Sequence, residues 1–152
     1  MTISLRPCTK DDYEFAFEAK KQALGPCVAE RWGWDDAVQR EVHSQRWAEK
    51  PWSLILRADE PVGTISLENV DERWRRLGEF YLLDGFRGQG IGSQLLKTLL
   101  TDCDRSRRWV RLEYLRWNRV GSLYARFGFR IIGENETHYF LERSPRPETP
   151  SA

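Results

Sequence analysis

The chain has 152 residues, of which 40% are hydrophobic and 31% are charged, and its 24 basic and 23 acidic residues give a formal net charge of +1. This length suits one domain around one core, and the near-neutral charge argues against a nucleic-acid binder. No apolar run approaches the roughly 20 residues of a membrane span, which argues against membrane insertion.

The cysteines and the N-terminus point to one cellular compartment. The three cysteines are widely spaced and accompany only two histidines, so we expect reduced thiols, no disulfide framework and no metal site. The N-terminus alternates apolar and polar residues from the start and lacks the apolar core of a signal peptide. We therefore expect a cytoplasmic protein.

The N-terminal residues predict a strand followed by a helix. Thr2–Pro7 alternates apolar and polar side chains, which is typical of a strand, and Thr9 is suited to begin a helix. Aromatic residues then keep helical spacing, and we expect the helix to end near Leu24 because Gly25 and Pro26 follow.

A second helix and a hairpin are predicted next. The helix should begin near Asp35 and end before Pro51. Its apolar residues are spaced to form one buried stripe, which comprises Ala37, Val38, Val42 and Trp47. Strands over residues 52–57 and 61–69 flank a turn-rich segment, which indicates a hairpin.

The second half of the chain alternates strands with helices. A strand over Gly78–Leu83 leads through a glycine-rich loop into an amphipathic helix that begins at Ile91. The remaining predicted elements are a strand at Trp109–Leu115, a short helix at Arg119–Phe127, and closing strands at Gly128–Ile132 and Thr137–Glu142. We expect residues 1–143 to form a single domain and residues 144–152, rich in Pro and Ser, to be a disordered tail.

The glycine-rich loop, residues 86–93, has three glycines at alternating positions. Glycines let the backbone curl and direct its amide N–H groups at one point, where the positive end of the helix dipole adds to the field. Arg87 contributes a full positive charge. The loop therefore suits a pyrophosphate, and a flexible turn that caps the helix is the alternative.

Two other phosphate-binding loops match the sequence less well. No Gly-Lys-Ser or Gly-Lys-Thr follows the glycines, which excludes a P-loop. A dinucleotide fingerprint fits better, since Gly88-x-Gly90 precedes a helix and Glu113 follows on the next strand, but Ser93 replaces its third glycine. Too little chain follows Glu113 to complete a second nucleotide-binding half, so a nicotinamide-binding domain is the weakest alternative.

Two linked motifs resemble the GNAT superfamily of N-acetyltransferases. The loop matches the family's Arg-x-x-Gly-x-Gly with Arg87, Gly90 and Gly92. The second motif comprises Asn118, Gly121 in place of the usual alanine, Leu123-Tyr124 and Gly128-Phe129. The resemblance implies an α/β (α+β) GNAT fold, in which a mixed, mostly antiparallel sheet of about six to seven strands is flanked by about four helices and has a splayed strand pair at the cofactor site.

The resemblance implies that acetyl-CoA is the co-substrate and assigns residues to it. The backbone of Phe80, Tyr81 and Leu82 would pair with the pantetheine arm, and the Leu82 amide would lie near the thioester carbonyl. Asn118 would bind the arm, cap the short helix, or do both. The loop residues that would hold the pyrophosphate are Arg87, Gly88, Gln89, Gly90, Ile91, Gly92 and Ser93.

The resemblance also gives two candidates for proton transfer. Tyr124 would contact the cofactor and act as general acid toward the coenzyme A thiolate; its alternative is to pack its ring against the core. Glu79, at the start of the cofactor strand, is the candidate base, because an acceptor amine is mostly protonated at neutral pH. An exposed structural carboxylate is the alternative for Glu79, and Glu68 and Glu30 are weaker candidates for the base.

The resembled fold places the acceptor between the first two helices and the later strands. Glu30, Trp32 and Trp34 lie in that helix connection, where aromatic faces and a carboxylate suit a cationic amine. The alternative is that both tryptophans close the core while Asp35 caps the second helix. The acceptor, a small-molecule or peptide amine, stays open, and so does a homodimer.

Together the motifs predict an acetyl-CoA-dependent N-acetyltransferase that transfers the acetyl group to a primary amine by direct attack in a ternary complex. No metal, nucleic acid or membrane is expected as a partner. A non-catalytic module that binds or senses acyl-CoA is the alternative function.

Overall fold

The computed structural model describes residues 2–147. Its strands are β1 (Ile3–Pro7), β2 (Ser53–Arg57), β3 (Glu60–Asn69), β4 (Trp74–Leu82), β5 (Trp109–Leu115), β6 (Arg130–Glu134) and β7 (His138–Arg143). Its α-helices are α1 (Tyr13–Trp32), α2 (Asp36–Glu49), α3 (Ile91–Arg105) and α4 (Gly121–Arg126), with short 3-10 helices at Lys10–Asp12 and Asp84–Phe86.

The strands form a seven-stranded sheet in the order β1-β2-β3-β4-β5-β7-β6. The pairs β1–β2, β2–β3, β5–β7 and β6–β7 are antiparallel, whereas β4 pairs with β5 in parallel, with Trp74–Arg76 opposite Trp109–Arg111. The sequence-based prediction of a mixed, mostly antiparallel sheet with about four helices is confirmed. No helix within residues 2–147 is long and apolar enough to cross a membrane.

The contacts divide the chain into two compact units. The first joins the chain up to Glu68 with Gly78–Ile91, and the second joins Asn69–Leu77 with the chain from Gly92 onward. Strand β4 therefore contributes its C-terminal half to the first unit and its N-terminal half to the second. Each unit is described by itself below.

Helix α1 in the first unit is longer than predicted. The start of this helical segment is as predicted. Thr9 and Asp12 form a capping box, in which the side chain of each residue accepts a hydrogen bond from the backbone N–H of the other. The predicted end near Leu24 is wrong, since the helix continues through Pro26 to Trp32. Proline removes one backbone hydrogen bond from a helix, and here the neighbouring contacts outweigh that loss.

One of these contacts involves the glycine that was predicted to end the helix. The six-membered ring of Trp34 lies 3.7 Å from the position that a Cβ atom would take at Gly25. Gly25 is buried in this contact, so its missing side chain serves close packing within the helix. The local Gly-Pro signal was overridden by packing that the sequence does not reveal.

Helix α2 begins as predicted, with the Asp35 side chain accepting a hydrogen bond from the backbone N–H of Val38. The predicted buried stripe is wrong, because Ala37 and Val38 are exposed. The buried residue of this helix is His43. Its ring contacts the rings of four aromatic residues, Tyr13, Phe17, Trp47 and Trp52, at centroid distances of 4.7 to 5.7 Å.

The second unit packs α3 through its apolar face, on which Leu95, Leu96 and Leu100 are buried. Near the C-terminal end of this helix, Arg143 donates two hydrogen bonds to the carboxylate of Asp104 at 2.8 and 3.1 Å. The backbone N–H of Arg146 donates to the same carboxylate at 2.9 Å. Residues 148–152 of the predicted tail lie outside the described residues, and the single-domain prediction for residues 1–143 stays a prediction.

We predict that His43 makes stability depend on pH. Burial lowers the pKa of His43, despite the hydrogen bond from its ring to the Tyr13 carbonyl. The unfolded chain therefore takes up a proton first as the pH falls below about 6.5, and the free energy of unfolding decreases from there to the folded pKa, by at most about 1.4 kcal/mol per pH unit.

Urea unfolding between pH 5 and 8 measures this slope. We expect His43→Leu to remove it and His138→Gln, which changes the other histidine, to keep it. Equal slopes in His43→Leu and the unmodified protein would contradict the prediction.

Candidate active site

The glycine-rich loop has a backbone conformation that residues with side chains rarely adopt. Gly88 and Gly90 have φ angles of 74° and 81°. A Cβ atom at either position would meet nothing within 4 Å, so the space beside the loop is open. Helix α3 follows directly at Ile91 and is 15 residues long. The first amide groups of a helix have no intrahelical partner and are donors suited to a phosphate.

Gln89 fixes the loop through both ends of its side-chain amide. Its Nε2 donates to the Gly85 carbonyl at 2.9 Å, and its Oε1 accepts from Arg57 Nη1 at 2.7 Å. The Arg57 guanidinium also lies 4.7 Å from the centre of the Phe86 ring. Arg57 on β2 thus adds a positive charge to the loop that the sequence did not predict, because only the sheet brings position 57 there.

Arg87, the loop residue expected to face an anion, has interactions of its own. Its Nη2 lies 3.4 Å from the Asp84 carboxylate, and its Nε donates to the Leu82 carbonyl at 3.4 Å. The Arg87 side chain is 42% exposed. The guanidinium is therefore held near the end of β4 while part of it stays accessible.

A glycine on β3 allows β4 to approach β3 closely. A Cβ atom at Gly63 would overlap the carbonyl oxygen of Tyr81 and lie 3.1 Å from the Leu82 Cα. Beyond this point, the Leu83 N–H donates to the Val62 carbonyl at 2.9 Å. The position of Tyr81–Leu82, for which backbone contact with the pantetheine arm was predicted, thus depends on the absence of a side chain at residue 63.

Glu79 interrupts the regular geometry of β4. Its φ angle is +48°, which is unusual for a residue with a side chain. The hydroxyl of Thr64, itself fully buried, donates to the Glu79 carbonyl at 2.9 Å. Residues held in this region cost of order 1–3 kcal/mol and persist only where their surroundings fix them. The strand is therefore locally distorted at the residue predicted to be the base.

The Glu79 carboxylate is buried among positive charges. Its side chain is 1% exposed, and Oε1 lies 3.3 Å from both Arg46 Nη1 and Lys50 Nζ. Burial raises the pKa of Glu79, but the charges of Lys20, Lys50 and Arg46 outweigh it and lower the pKa below its usual value. Its Oε2 is buried and has no hydrogen-bond partner in the part of the chain that the structure describes.

Lys20 on α1 belongs to the same cluster. The residue is 2% exposed. Burial lowers the pKa of its ammonium, the carboxylate of Glu79 raises it, and Arg46 and Lys50 lower it further. Sequence reasoning missed this cluster, because its members lie on α1, at the end of α2 and on β4 and are far apart in the chain.

Tyr124 lies in the second unit, on α4. It is buried, its ring stacks on Tyr114 at 6.0 Å between centroids and meets Phe129 edge-on at 5.7 Å. Burial raises the pKa of Tyr124 far above its usual value. Its phenol therefore keeps its proton at neutral pH.

Gly121 and Asn118 have structural roles beside Tyr124. A Cβ atom at Gly121 would overlap the Tyr114 hydroxyl and lie 3.2 Å from its Cζ, which explains glycine where the resembled motif has alanine. Asn118 accepts a hydrogen bond from the Val120 N–H through Oδ1 at 3.2 Å, close to the start of α4. The predicted capping alternative for Asn118 is wrong, because α4 begins at Gly121 and its N-cap is Val120, which has no side-chain capping hydrogen bond.

The three residues predicted to bind the acceptor differ in exposure and in contacts. Trp32 is 55% exposed, with the Arg31 guanidinium 6.0 Å from its ring centre. Trp34 donates from Nε1 to Asp36 at 3.0 Å and packs against Phe17 at 6.1 Å. Trp34 thus packs in the connection between α1 and α2, whereas the exposure of Trp32 contradicts the alternative in which both tryptophans close the core. Glu30 is exposed near the end of α1.

The loop fits the phosphate groups of a nucleotide cofactor such as acetyl-CoA. Two glycines with positive φ face open space, a 15-residue helix begins there, and Arg87 and Arg57 carry positive charge beside it. Within residues 2–147 no three His, Cys, Asp or Glu side chains are grouped as metal ligands would be.

The sequence matches the model of the acetyltransferase (GNAT) domain over residues 48–131, which is more than half of the chain. The chain belongs to the GNAT acetyltransferase family. The match covers β4, the glycine-rich loop, α3 and the Asn118–Phe129 segment, so both motifs on which the resemblance was based lie within it. A search among curated proteins finds no match to the sequence.

Solved structures of this family have the same fold. The PaiA N-acetyltransferase from Thermoplasma acidophilum, in complex with coenzyme A, is 17% identical with a TM-score of 0.74 over 95% of this chain and 99% of that one. The ribosomal-protein-S18-alanine N-acetyltransferase from Escherichia coli is 13% identical, with a TM-score of 0.69 over 99% of each chain. A GNAT family acetyltransferase from Elizabethkingia anophelis with acetyl-CoA bound is 20% identical, with a TM-score of 0.63 over 93% and 97%.

We predict that Gly63→Ala displaces β4. The added methyl group would overlap backbone atoms of β4, which cannot swing away as a side chain does, and such overpacking costs about 1–3 kcal/mol. Urea unfolding should show this loss.

Gly85→Ala is the matched control. Gly85 has open space at its Cβ position and no positive φ, so we expect its free energy of unfolding to change little. An unchanged stability of Gly63→Ala would show that β3 and β4 are not packed as described.

Proposed function

We propose that the chain is an acetyl-CoA-dependent N-acetyltransferase that transfers the acetyl group to a primary amine by direct attack. The observation that carries this proposal is the loop at Gly88 and Gly90, whose open, positive-φ backbone leads into α3 within a GNAT domain. Coenzyme A or acetyl-CoA bound to solved relatives of the same fold supports the choice of cofactor.

The cofactor residues are proposed from the loop and the strand before it. The loop amides from Gly88 to Ser93, with Arg87 and Gln89, would hold the pyrophosphate. The backbone of Phe80–Leu82 would bind the pantetheine arm, together with Asn118 and Tyr124. When bound, acetyl-CoA supplies an acetyl group activated as a thioester.

Glu79 is proposed to receive the proton of the attacking amine. Its lowered pKa keeps the carboxylate ionised at neutral pH, and its partnerless, buried Oε2 supports a role as acceptor from an amine or a water. A carboxylate with a low pKa is a weak base, so it would take the proton only as the C–N bond forms and the nitrogen becomes acidic. The distorted backbone at residue 79 fixes the carboxylate in position.

Tyr124 is proposed to donate a proton from Oη to the departing sulfur. The raised pKa ensures that the phenol is protonated. The same shift makes it a weak acid, so the transfer would accompany cleavage of the C–S bond, when charge builds on the sulfur. Reprotonation of Tyr124 and release of the proton from Glu79 to water would complete the cycle.

Direct attack in a ternary complex is supported by the state of the cysteines. An acyl-enzyme formed on a cysteine would need a thiolate nucleophile. Burial raises the pKa of all three thiols, that of Cys8 to about 11, and Cys103 is fully buried. None of the three is therefore poised to accept the acetyl group. Trp32, Trp34 and Glu30 remain proposed contacts of the amine.

We predict that acetyl-CoA and coenzyme A stabilise the protein. At 100 to 1,000 times the dissociation constant, either ligand should add about 2.7–4.1 kcal/mol to the free energy of unfolding. Gly90→Ala should lose most of this gain, because its methyl group enters the open space and its φ disfavours alanine. Thermal unfolding with each ligand measures the effect.

Gly85→Ala, which lies in the same loop region without positive φ, should keep the stabilisation. NAD and ATP serve as ligand controls. If neither acetyl-CoA nor coenzyme A stabilises the unmodified protein, the proposed function is wrong.

We predict that Tyr124→Phe lowers kcat by about 100-fold, the lower range for loss of a general acid, while binding of coenzyme A is retained. Thiol release in the presence of an accepted amine measures the turnover. Because the phenyl ring remains, its packing against Tyr114 and Phe129 should persist. Unchanged turnover across pH would remove Tyr124 from the mechanism.

A further inference from the structure

The cluster around Glu79 has more positive than negative charge. Lys20, Arg46 and Lys50 surround this one carboxylate, and they are the charges that act most strongly on it. Two ion pairs of 3.3 Å hold Glu79 Oε1. One carboxylate cannot neutralise three cations, so the cluster has an excess of two positive charges.

We propose that the acceptor is an amine that also carries a carboxylate, such as a free amino acid, and that Arg46 and Lys50 bind this carboxylate, with the buried Lys20 adding to the positive field. The proposal rests on the proposed function and names the substrate class of that site. It excludes polyamines and other amines with several positive charges.

Electrostatics supports an anionic group in the substrate. Lys20 is buried, so its charge is poorly solvated, and burial together with Arg46 and Lys50 lowers the pKa of its ammonium. An added carboxylate would relieve this repulsion, whereas a second cation would increase it. Like charges brought together in a poorly solvated site discriminate strongly between ligands.

Two acids on the neighbouring helices are engaged elsewhere. Glu14 on α1 accepts two hydrogen bonds of 2.9 Å from Arg40. Asp36 on α2 pairs with Lys21 at 3.1 Å and with Arg40 at 3.5 Å. These pairs balance their own charges and leave those of the Glu79 cluster uncompensated.

The cluster is open to solvent on one side. The Arg46 side chain is 45% exposed and that of Lys50 20%, while Glu79 is buried. Gly78 lies beside Lys50, and a Cβ atom there would be in ordinary contact with Lys50 Nζ at 3.5 Å. A small carboxylate can therefore reach Arg46 and Lys50 from solvent.

The cluster also lies where an acceptor is needed. Glu79 directly precedes Phe80–Leu82, the segment proposed to hold the pantetheine arm, so the cluster lies within roughly 10 Å of that segment's far end along the strand. Glu79 Oε2 offers a partner to the amino group. The ammonium and the carboxylate of one substrate would thus meet charges of opposite sign in a single cluster.

Matched pairs of acceptors test the proposal. Thiol release is measured with glycine, glutamate and phenylalanine, with the amide of each, and with spermidine. Amino acid amides lose their ammonium proton more readily, so without carboxylate recognition they should be the better acceptors. We expect kcat/KM to be at least about tenfold higher for an amino acid than for its amide, as for a charged hydrogen bond.

Two variants locate the recognition. Arg46→Gln and Lys50→Gln should each lower kcat/KM for the accepted amino acid by about tenfold more than for its amide. Because both cations also pair with Glu79, a further loss that is common to both acceptors is expected. Arg40→Gln, a change of a cation on the same helix that is paired with Glu14 and Asp36, should leave both acceptors unchanged.

The outcomes separate the two proposals. If acetyl-CoA does not stabilise the protein, the proposed function fails and this inference fails with it. If acetyl-CoA binds but no carboxylated amine is acetylated, or if the amides or spermidine are equally good acceptors, the inference alone is overturned. Equal losses for acid and amide in Lys50→Gln would also overturn it.

Discussion

The first unit depends on one buried carboxylate. Glu79 combines a strained backbone, a carbonyl held by Thr64 and a side chain paired with Arg46 and Lys50. A buried ion pair adds little net stability, because desolvation offsets the attraction, but loss of one partner is costly. These contacts fix the position of α2 against the C-terminal half of β4, which is the strand assigned to the cofactor. Placement of the reacting groups, more than stability, explains why such a costly arrangement is present.

The loop after β4 shows how a small change of backbone creates a binding surface. Gly88 and Gly90 adopt positive φ, and neither would meet a neighbour if it had a side chain. Packing therefore does not require glycine there. The open space, the start of α3 and the cation of Arg57, held by Gln89, are all features of an anion site. At Gly63 the reason for glycine is the opposite, because backbone atoms of β4 fill the space.

The pKa shifts at the two catalytic candidates have opposite directions. Positive neighbours lower the pKa of Glu79 in spite of its burial, whereas burial raises the pKa of Tyr124. Each group is therefore held in the protonation state that its proposed role needs at the start of the reaction. Each is also a weak base or acid in the resting protein, so proton transfer would have to accompany bond formation and cleavage.

The sequence by itself determined the elements, the family and the loop. Alternation, capping signals and the glycine motif predicted where each described strand lies and where α2 and α3 begin, because these features depend on neighbours in the chain. The prediction for β4 missed its first four residues, since the strand begins at Trp74 and not at Gly78. The sequence-based prediction was wrong at Gly25-Pro26, where α1 continues and packs against Trp34. It was also wrong about the buried stripe of α2, where the buried residue is His43 among aromatic rings. Only the tertiary structure revealed the excess of positive charge at Glu79 and the cation at Arg57. Charges and contacts between distant residues depend on three-dimensional distance, which residue spacing along the chain does not encode.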